Sequence, residues 1–339
     1  MKDTVTILDV AKRAGVSPAT VTHALNGKRP VGEQTRAKVL SAIAELGYVP
    51  SWNASRLKSG SSGIIGCLAV DITESFVSRI VKGMESGLGS GQYSLLFVSA
   101  VEFDGDLKRA YNFLKGHNVD GTLLCYHIPN GDTSVLSDIV PFCPMVSVNM
   151  AFPGMPSIVL DNVAGGLQAA EHLVSCGVKH PAIICGQETR VSAIDRLTGF
   201  SRRIQQFGLA LKAENILFGD YQAEHGYVSA KRLLENDAAI DGIFCENDFL
   251  AAGAINAIKD LGYSVPEDIK ILGFDNRDFS VFWAPPISTF EIPLHDMGLL
   301  GMYKLKEMIE TKKEANTEVV TLQPKILPRK STEVDLSQK

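Results

Sequence analysis

Several chemistries are missing from this 339-residue sequence. Its six cysteines (Cys67, Cys125, Cys143, Cys176, Cys185 and Cys245) stand apart, with no CxxC pair and no histidine at metal-ligand spacing. That excludes a zinc cluster and a disulfide framework, and no metal site is expected. Each cysteine lies in or beside an apolar run, where a buried reduced thiol is expected, and a reducing cytoplasm fits that usage. There is no run of about 18 apolar residues, so no membrane-spanning helix is expected. The opening MKDTVTILDVAKRAG has no apolar stretch before a small-residue cleavage site, so no secretory signal is read there. Catalytic signatures are absent as well. GLGSG at 87–91 fits neither GxGxxG nor the P-loop and reads as a turn. No GxSxG, HExxH or Cys/His pairing at useful spacing occurs, and the seven histidines are dispersed. No catalytic residue and no cofactor is therefore assigned, and the chain is not read as an enzyme.

What is present is an ordinary globular composition, 45% hydrophobic and 21% charged, at a length that calls for two or three domains. The net charge of −5 hides an asymmetry. Residues 1–60 carry nine Lys and Arg against four acids, which leaves +5 on the head and −10 on the remainder. A basic head on an acidic body points to a polyanion met by the head alone.

Three helices can be read in that head from their punctuation. Thr6 precedes ILDVAKRA with Asp9 three residues on, a capping-box spacing, and Gly15 suits the left-handed position after a helix. Ser17 caps a second helix with Pro18 at its first position, and Asn26-Gly27 ends it. In the third, EQTRAKVLSAIAELGY, the expected apolar stripe is Val39, Leu40, Ile43 and Leu46. Two helices joined by a three-residue turn and braced by a third form a helix-turn-helix layout. Its second helix presents Pro18, Ala19, Thr22 and His23 to a major groove.

The run TVTILDVAKRAGVSPATVTHALNG, followed by TRAKVLSAIAELGYVP, closely resembles the lac repressor (LacI/GalR) family of bacterial transcription regulators. The likeness is dense over residues 5–50 and continues more loosely to about residue 325. It implies that Ser17, Pro18, Ala19, Thr20 and His23 occupy recognition-helix positions, with Asn26 at the helix end. Thr6 and Arg36 complete the DNA-contacting set of the head. Where the family often has Ser-Arg, this chain has Thr22-His23, and an imidazole cannot make the bidentate fork of arginine on guanine. Pro18 and Ala19 offer an apolar surface suited to thymine methyl groups, leaving hydrogen-bonded readout to Ser17, Thr20, Thr22 and His23.

The segment PSWNASRLKSGSSG (50–63) begins with helix-compatible residues and ends in a Gly/Ser tract. The resemblance implies a hinge helix that folds on DNA, pairs with its twin and wedges a leucine into the minor groove; Ala54 and Leu57 match that pattern. The chain departs from it at Asn53 and in the order Ser55-Arg56. The domain reading is a head at 1–50, a hinge at 51–62, a core at 63–330 and a polar tail at 331–339, frayed from about 328. Within the core, lobe one covers about 63–160 and 292–325, and lobe two about 161–291.

From residue 64 apolar strands alternate with helical stretches: 64–70, 93–99, 119–126, 144–150, 157–162, 180–186, 242–247 and 269–276. That spacing predicts an α/β core of two doubly wound parallel sheets, and EVVTLQPKIL returns to complete the first lobe. The resemblance implies the two-lobed periplasmic-binding-protein-like fold with a ligand in the cleft. Ligands of open α/β sheets sit beyond the carboxyl ends of the strands. That position offers Asp71, Thr73, Phe76, Asn149, Arg196, Tyr221, Glu246-Asn247-Asp248 and Asp275-Asn276. The resemblance implies that Arg196, Asn247 and Asp275, with Asn149 and Tyr221 matching more loosely, hold sugar hydroxyls or purine edges. The effector-binding candidates are Asp71, Thr73, Phe76, Asn149, Arg196, Tyr221, Asn247 and Asp275. Asp248 is expected to cap its own helix, Asp161-Asn162 to cap the helix at 163–176, and an Arg196–Asp275 structural pair stays open.

Carboxylates, amides, a cation and aromatic faces suit a polyhydroxylated ligand. The expectation is a cytoplasmic, homodimeric repressor of carbohydrate uptake or catabolism genes. It would bind a pseudo-palindromic DNA operator under control of a small sugar-like effector. A nucleobase or nucleoside effector, or a phosphoprotein corepressor, is the alternative. A sugar-binding protein without a DNA role is the more distant one, and it needs no basic head.

Overall fold

The computed structural model describes residues 5–26, 29–48, 61–71, 75–89, 93–125, 142–311 and 317–333. It divides into two compact units, 1–62 and 63–339.

In the smaller unit, α1 (Ile7–Ala14), α2 (Pro18–Asn26) and α3 (Glu33–Leu46) start and stop where their punctuation requires. The Asp9 carboxylate accepts from the Thr6 N–H at 2.8 Å and the Thr6 hydroxyl at 2.7 Å, which holds its carboxyl below the ordinary range. Gly15 takes φ 69°, and the Ser17 hydroxyl oxygen accepts from the Thr20 N–H at 3.1 Å. Val10, Ala11, Val21, Ala24, Val39 and Ala42 pack into one core among the three helices. The apolar stripe of α3 is corrected in one place. Val39 and Ala42 are buried with Ile43 and Leu46 against them, whereas Leu40 is 49% exposed. Leu40 stands about 100° round the helix from Val39, and the small Ala42 takes its place in the core of the three helices.

The larger unit holds two parallel sheets. In the first are β1 (Ile64–Ala69), β2 (Ser94–Ser99), β3 (Gly121–Cys125), β4 (Met145–Val148), β5 (Ser157–Leu160) and β11 (Val319–Leu322), in the order β11-β5-β4-β3-β1-β2. The second holds β6 (Pro181–Cys185), β7 (Ile216–Phe218), β8 (Gly242–Cys245) and β9 (Lys270–Leu272), in the order β7-β6-β8-β9. All of these pairings are parallel. The continuous apolar runs of β3, β4, β6 and β8 are buried along their whole length, as strands covered on both faces must be. The covering helices are α4 (Ser75–Leu88), α5 (Leu107–Gly116), α6 (Asn162–Ser175), α7 (Val191–Gln206), α8 (Ala223–Asn236), α9 (Asp248–Asp260) and α10 (Leu294–Thr311).

Two expectations fail in detail. Of the returning segment only β11 joins the first sheet; β12 (Lys325–Leu327) pairs antiparallel with β10 (Thr289–Glu291). The segment past residue 328 is not frayed as far as it is described. Ser331 and Thr332 are fully buried, and the Ser331 hydroxyl donates to the Ile271 carbonyl at 2.6 Å while accepting from the Ser288 N–H at 2.7 Å. Small hydroxyl side chains read as a polar tail in sequence, but here they close buried hydrogen bonds.

Helices α6 and α7 cross with backbones in contact. A Cβ at Gly166 would lie 2.0 Å from the Arg196 carbonyl, and one at Gly199 would lie 2.1 Å from that of Val163. The pairs α4/α10 and α8/α9 use the same device at Gly298 and Gly253. Gly199→Ala must push the two helices apart. A loss of about 3 kcal/mol in urea unfolding is expected, the upper range for overpacking; an unchanged midpoint would contradict the close crossing.

Candidate functional site

The carboxyl ends of both sheets open onto one cleft of about 600 Å³. Val70, Cys125, Asn149 and Leu160 enter it from the ends of β1, β3, β4 and β5. Gln187, Tyr221, Asn247 and Asp275 enter from beyond β6, β7, β8 and β9. Each sheet has its topological switch there, β1 beside β3 and β6 beside β8, so the connections leaving the paired strand ends run to opposite faces of the sheet and leave a crevice between them. Asn149 and Asp275 both take left-handed backbone conformations, φ 83° and 97°, which asparagine and aspartate tolerate better than most residues.

Of the candidates named from sequence, Phe76, Asn149, Arg196, Tyr221, Asn247 and Asp275 are brought together in the walls. Asp71, at the end of β1, does not line the cleft. Thr73 lies outside the described residues.

Arg196 is only 7% exposed and turns inward. Its Nε donates to Asn162 Oδ1 at 2.9 Å, its Nη1 donates to the Glu246 carbonyl at 2.6 Å, and its guanidinium lies 3.8 Å from the centre of the Phe274 ring. The cation 3.6 Å from the Asp275 carboxylate is Arg277, not Arg196. Asn247 has two local tasks: Oδ1 caps α9 by accepting from the Leu250 N–H at 2.7 Å, and Nδ2 donates to the Tyr221 carbonyl at 3.0 Å. That corrects the expectation for Asp248, whose carboxylate accepts from the Arg277 N–H and the Thr289 hydroxyl, each at 2.6 Å. Asp161 does cap α6, accepting from the Ala164 N–H at 2.8 Å, while Asn162 serves Arg196.

Sequence reasoning misses Arg190, Ser192, Phe249 and Arg277, all in the cleft wall. Arg190 and Ser192 stand at the start of α7, just past β6, so the strand-end rule reaches their segment, in which it singles out Arg196 instead. The Arg190 guanidinium lies 5.8 Å from the Tyr221 ring centre. That ring rests on the backbone of Gly186, where a Cβ would fall 1.9 Å from it. The cleft therefore combines three aromatic side chains (Phe76, Tyr221, Phe249) with two carboxylates (Asp220 and Asp275), several amides and guanidinium donors.

Beneath it lie buried acids. Glu246 is fully buried and accepts from the Gly186 N–H at 2.8 Å; burial pushes its carboxyl up to about 7 against the pull of Arg196. Burial likewise pushes Asp248 up to about 7, despite its two hydrogen bonds, and raises Asp275.

In the head, Ser17, Pro18 and Ala19 are exposed, whereas Thr20, Thr22 and His23 are half-buried. The Thr20 hydroxyl lies 2.9 Å from that of Ser17, and the Thr22 hydroxyl donates to the Pro18 carbonyl at 3.0 Å. Thr6 and Arg36 are exposed. The Asn26 side chain, Ala54, Leu57 and the expected hinge helix lie outside the described residues.

Comparison with known proteins places the chain among bacterial regulators. A model of bacterial regulatory proteins of the lacI family matches residues 6–51, and one of periplasmic binding protein-like domains matches residues 170–332. The HTH-type transcriptional repressor PurR of Mannheimia succiniciproducens is 33% identical over 329 residues, covering 96% of this chain and 98% of its own length. PurR of Haemophilus influenzae is 33% identical over 331 residues, with the same coverage. The lac repressor dimer bound to operator and the anti-inducer ONPF superposes with a TM-score of 0.83 at 27% identity, covering 98% of this chain and 100% of that one. The complex of the regulator CelR with cellobiose gives 0.70 at 25% identity, covering 96% and 99%.

The raised acids set a pH dependence. The folded state keeps Glu246 protonated where the unfolded chain, with an ordinary value of 4.5, has released the proton. Stability contributed by this group therefore falls as pH rises from about 4.5 to about 7, then levels off. Glu246→Gln should flatten the decline of the melting temperature across that window; an unaltered slope would contradict the assignment.

Proposed function

Because the chain belongs to the lacI family of bacterial regulatory proteins, we propose that this DNA-binding transcriptional repressor is controlled by a purine-type nucleobase held in the cleft between its two sheets. The observation that carries the effector reading is the pairing of flat aromatic walls with an acceptor and a donor. Phe76, Tyr221 and Phe249 offer stacking faces, Asp275 offers a carboxylate to ring N–H groups, and Arg190 offers N–H donors to a ring carbonyl. The name PurR, borne by the full-length relatives at 33% identity, accords with a purine and favours it over the sugar expected from sequence.

In this reading two copies present two heads to a pseudo-palindromic operator. Pro18 and Ala19 lie against thymine methyls, and Ser17, Thr20, Thr22 and His23 reach polar edges or phosphates. The hydroxyls of Thr20 and Thr22 are engaged within α2, so His23 is the main side-chain donor to bases. Leu57 wedges into the minor groove and bends the duplex, with Ala54 beside it. The effector acts by preferring one arrangement of the lobes, and its influence on operator binding equals its difference in affinity between the arrangements.

Two measurements test this. In calorimetric titrations of the full-length protein, adenine, guanine or hypoxanthine is expected to bind, and Asp275→Asn to weaken that binding at least tenfold; binding of sugars alone would overturn the purine reading. On a duplex selected by the protein from a random-sequence pool, Leu57→Ala is expected to lower affinity about tenfold and reduce the bend. Equal affinity with an equal bend angle would dispose of the wedge.

A further inference from the structure

Asp275 does not reach the cleft on a relaxed backbone. It and Asn276 are consecutive left-handed residues, φ 97° and 49°, and neither is glycine. Such a pair persists only where its surroundings over-determine it. What determines it here comes from two distant parts of the chain. From the start of α9, Asp248 accepts from the Arg277 N–H and from the Thr289 hydroxyl, each at 2.6 Å. The Thr289 oxygen in turn accepts from the Asn276 N–H at 3.3 Å. Gly273 makes this approach possible, since a Cβ there would lie 2.4 Å from Asp248 Oδ1.

From beyond β12, Arg329 clamps the other side of the turn. Its Nη2 donates to Asn276 Oδ1 at 2.6 Å, and its Nη1 donates to Ser280 Oγ at 2.9 Å and the Ile287 carbonyl at 2.8 Å. The backbone of Arg329 is itself pinned: its N–H donates to Ser288 Oγ at 2.7 Å, and the Ser288 hydroxyl lies 2.8 Å from the Arg329 carbonyl. Neither Asp248 nor Arg329 lines the cleft.

We infer that Arg329 is a positioning residue for effector recognition: it fixes Asn276, and through it the left-handed turn that aims Asp275 into the cleft, with Asp248 as its counterpart. The inference rests on the reading that Asp275 meets the effector. The segment around 329–332 thus belongs functionally to the binding site although it touches no ligand. A guanidinium is required because one side chain must hold an amide oxygen, a hydroxyl and a carbonyl in three directions, which the point charge of lysine does not do.

The test uses the full-length protein with adenine, guanine and hypoxanthine as probes, by calorimetry, together with backbone hydrogen exchange without any probe. Arg329→Gln should weaken probe binding at least tenfold, and Asn276→Gly, which removes the amide that Arg329 holds while leaving the left-handed φ accessible, should do the same. The double variant Asp275→Asn/Arg329→Gln should bind no more weakly than Asp275→Asn alone, since Arg329 acts through Asp275. A merely stabilising role would instead multiply the two effects. Exchange at residues 275–280 should accelerate in Arg329→Gln while α6 and α7 keep their protection. Binding by Arg329→Gln within twofold of the parent, multiplicative effects in the double variant, or unchanged exchange at 275–280 would each overturn the inference. If the parent binds none of the three bases, the purine reading fails, and the exchange result alone decides the positioning role.

Discussion

A guanidinium charge buried in the second lobe must find partners, and the way it finds them organises the floor of the cleft. Uncompensated, a buried cation is among the most costly groups a protein can hold. Arg196 is satisfied by the Asn162 amide oxygen at the start of α6, the Glu246 carbonyl at the end of β8 and the face of Phe274 beyond β9. Three elements are thereby fixed to α7. The charge also opposes the upward push that burial exerts on Glu246 and Asp275. The helix can deliver its arginine this deeply because Gly166 and Gly199 let α6 and α7 cross with backbones touching.

On that floor the cleft is assembled from strand ends, and its chemistry derives from topology. Where the connections after two neighbouring strands leave to opposite faces of the sheet, a crevice opens beyond the carboxyl ends, and the loop residues there line it. The side chains that arrive there stand on constrained backbone: Asn149 and Asp275 on left-handed residues, Asn247 locked as a helix cap, Tyr221 seated on Gly186. Such a site is largely preformed, which limits the ordering cost of binding and lets affinity differences express lobe arrangement. In the proposed role, that is what a repressor needs from its effector.

Much of this is legible in the sequence, and the failures have physical causes. Capping residues act within four positions, so Thr6, Asp9, Gly15 and Ser17 mark the first two helices of the head without knowledge of the rest. Buried parallel strands are continuous apolar runs, so β1, β3, β4, β6 and β8 stand out. The three-residue strands β7 and β10 carry too short an apolar pattern to register, whereas the equally short β9 lies within the longer run 269–276. β12 is read in the returning segment but placed in the wrong sheet, because its pairing with β10 depends on a partner more than 30 residues away. Leu40 falls on the expected stripe because periodicity does not say where a helix's partner ends. Asn247 and Asp248 are adjacent and equally able to cap; only the tertiary position of Thr289 and Arg277 draws Asp248 away. Arg190 loses to Arg196 for a similar reason, since the strand-end rule finds a segment but not the direction of its side chains. The buried hydroxyls of Ser331 and Thr332 are invisible because their partners lie 40 or more residues away.

The Arg196 guanidinium is first a structural keystone of the second lobe and only through that a part of the cleft. Equilibrium urea unfolding of Arg196→Met, in the absence of any effector, tests it directly. Methionine keeps the reach and the contact with Phe274 but strands Asn162, the Glu246 carbonyl and the acids below. A loss of about 3–5 kcal/mol is predicted, the scale for breaking a buried charged network. Stability equal to that of the parent protein would contradict it.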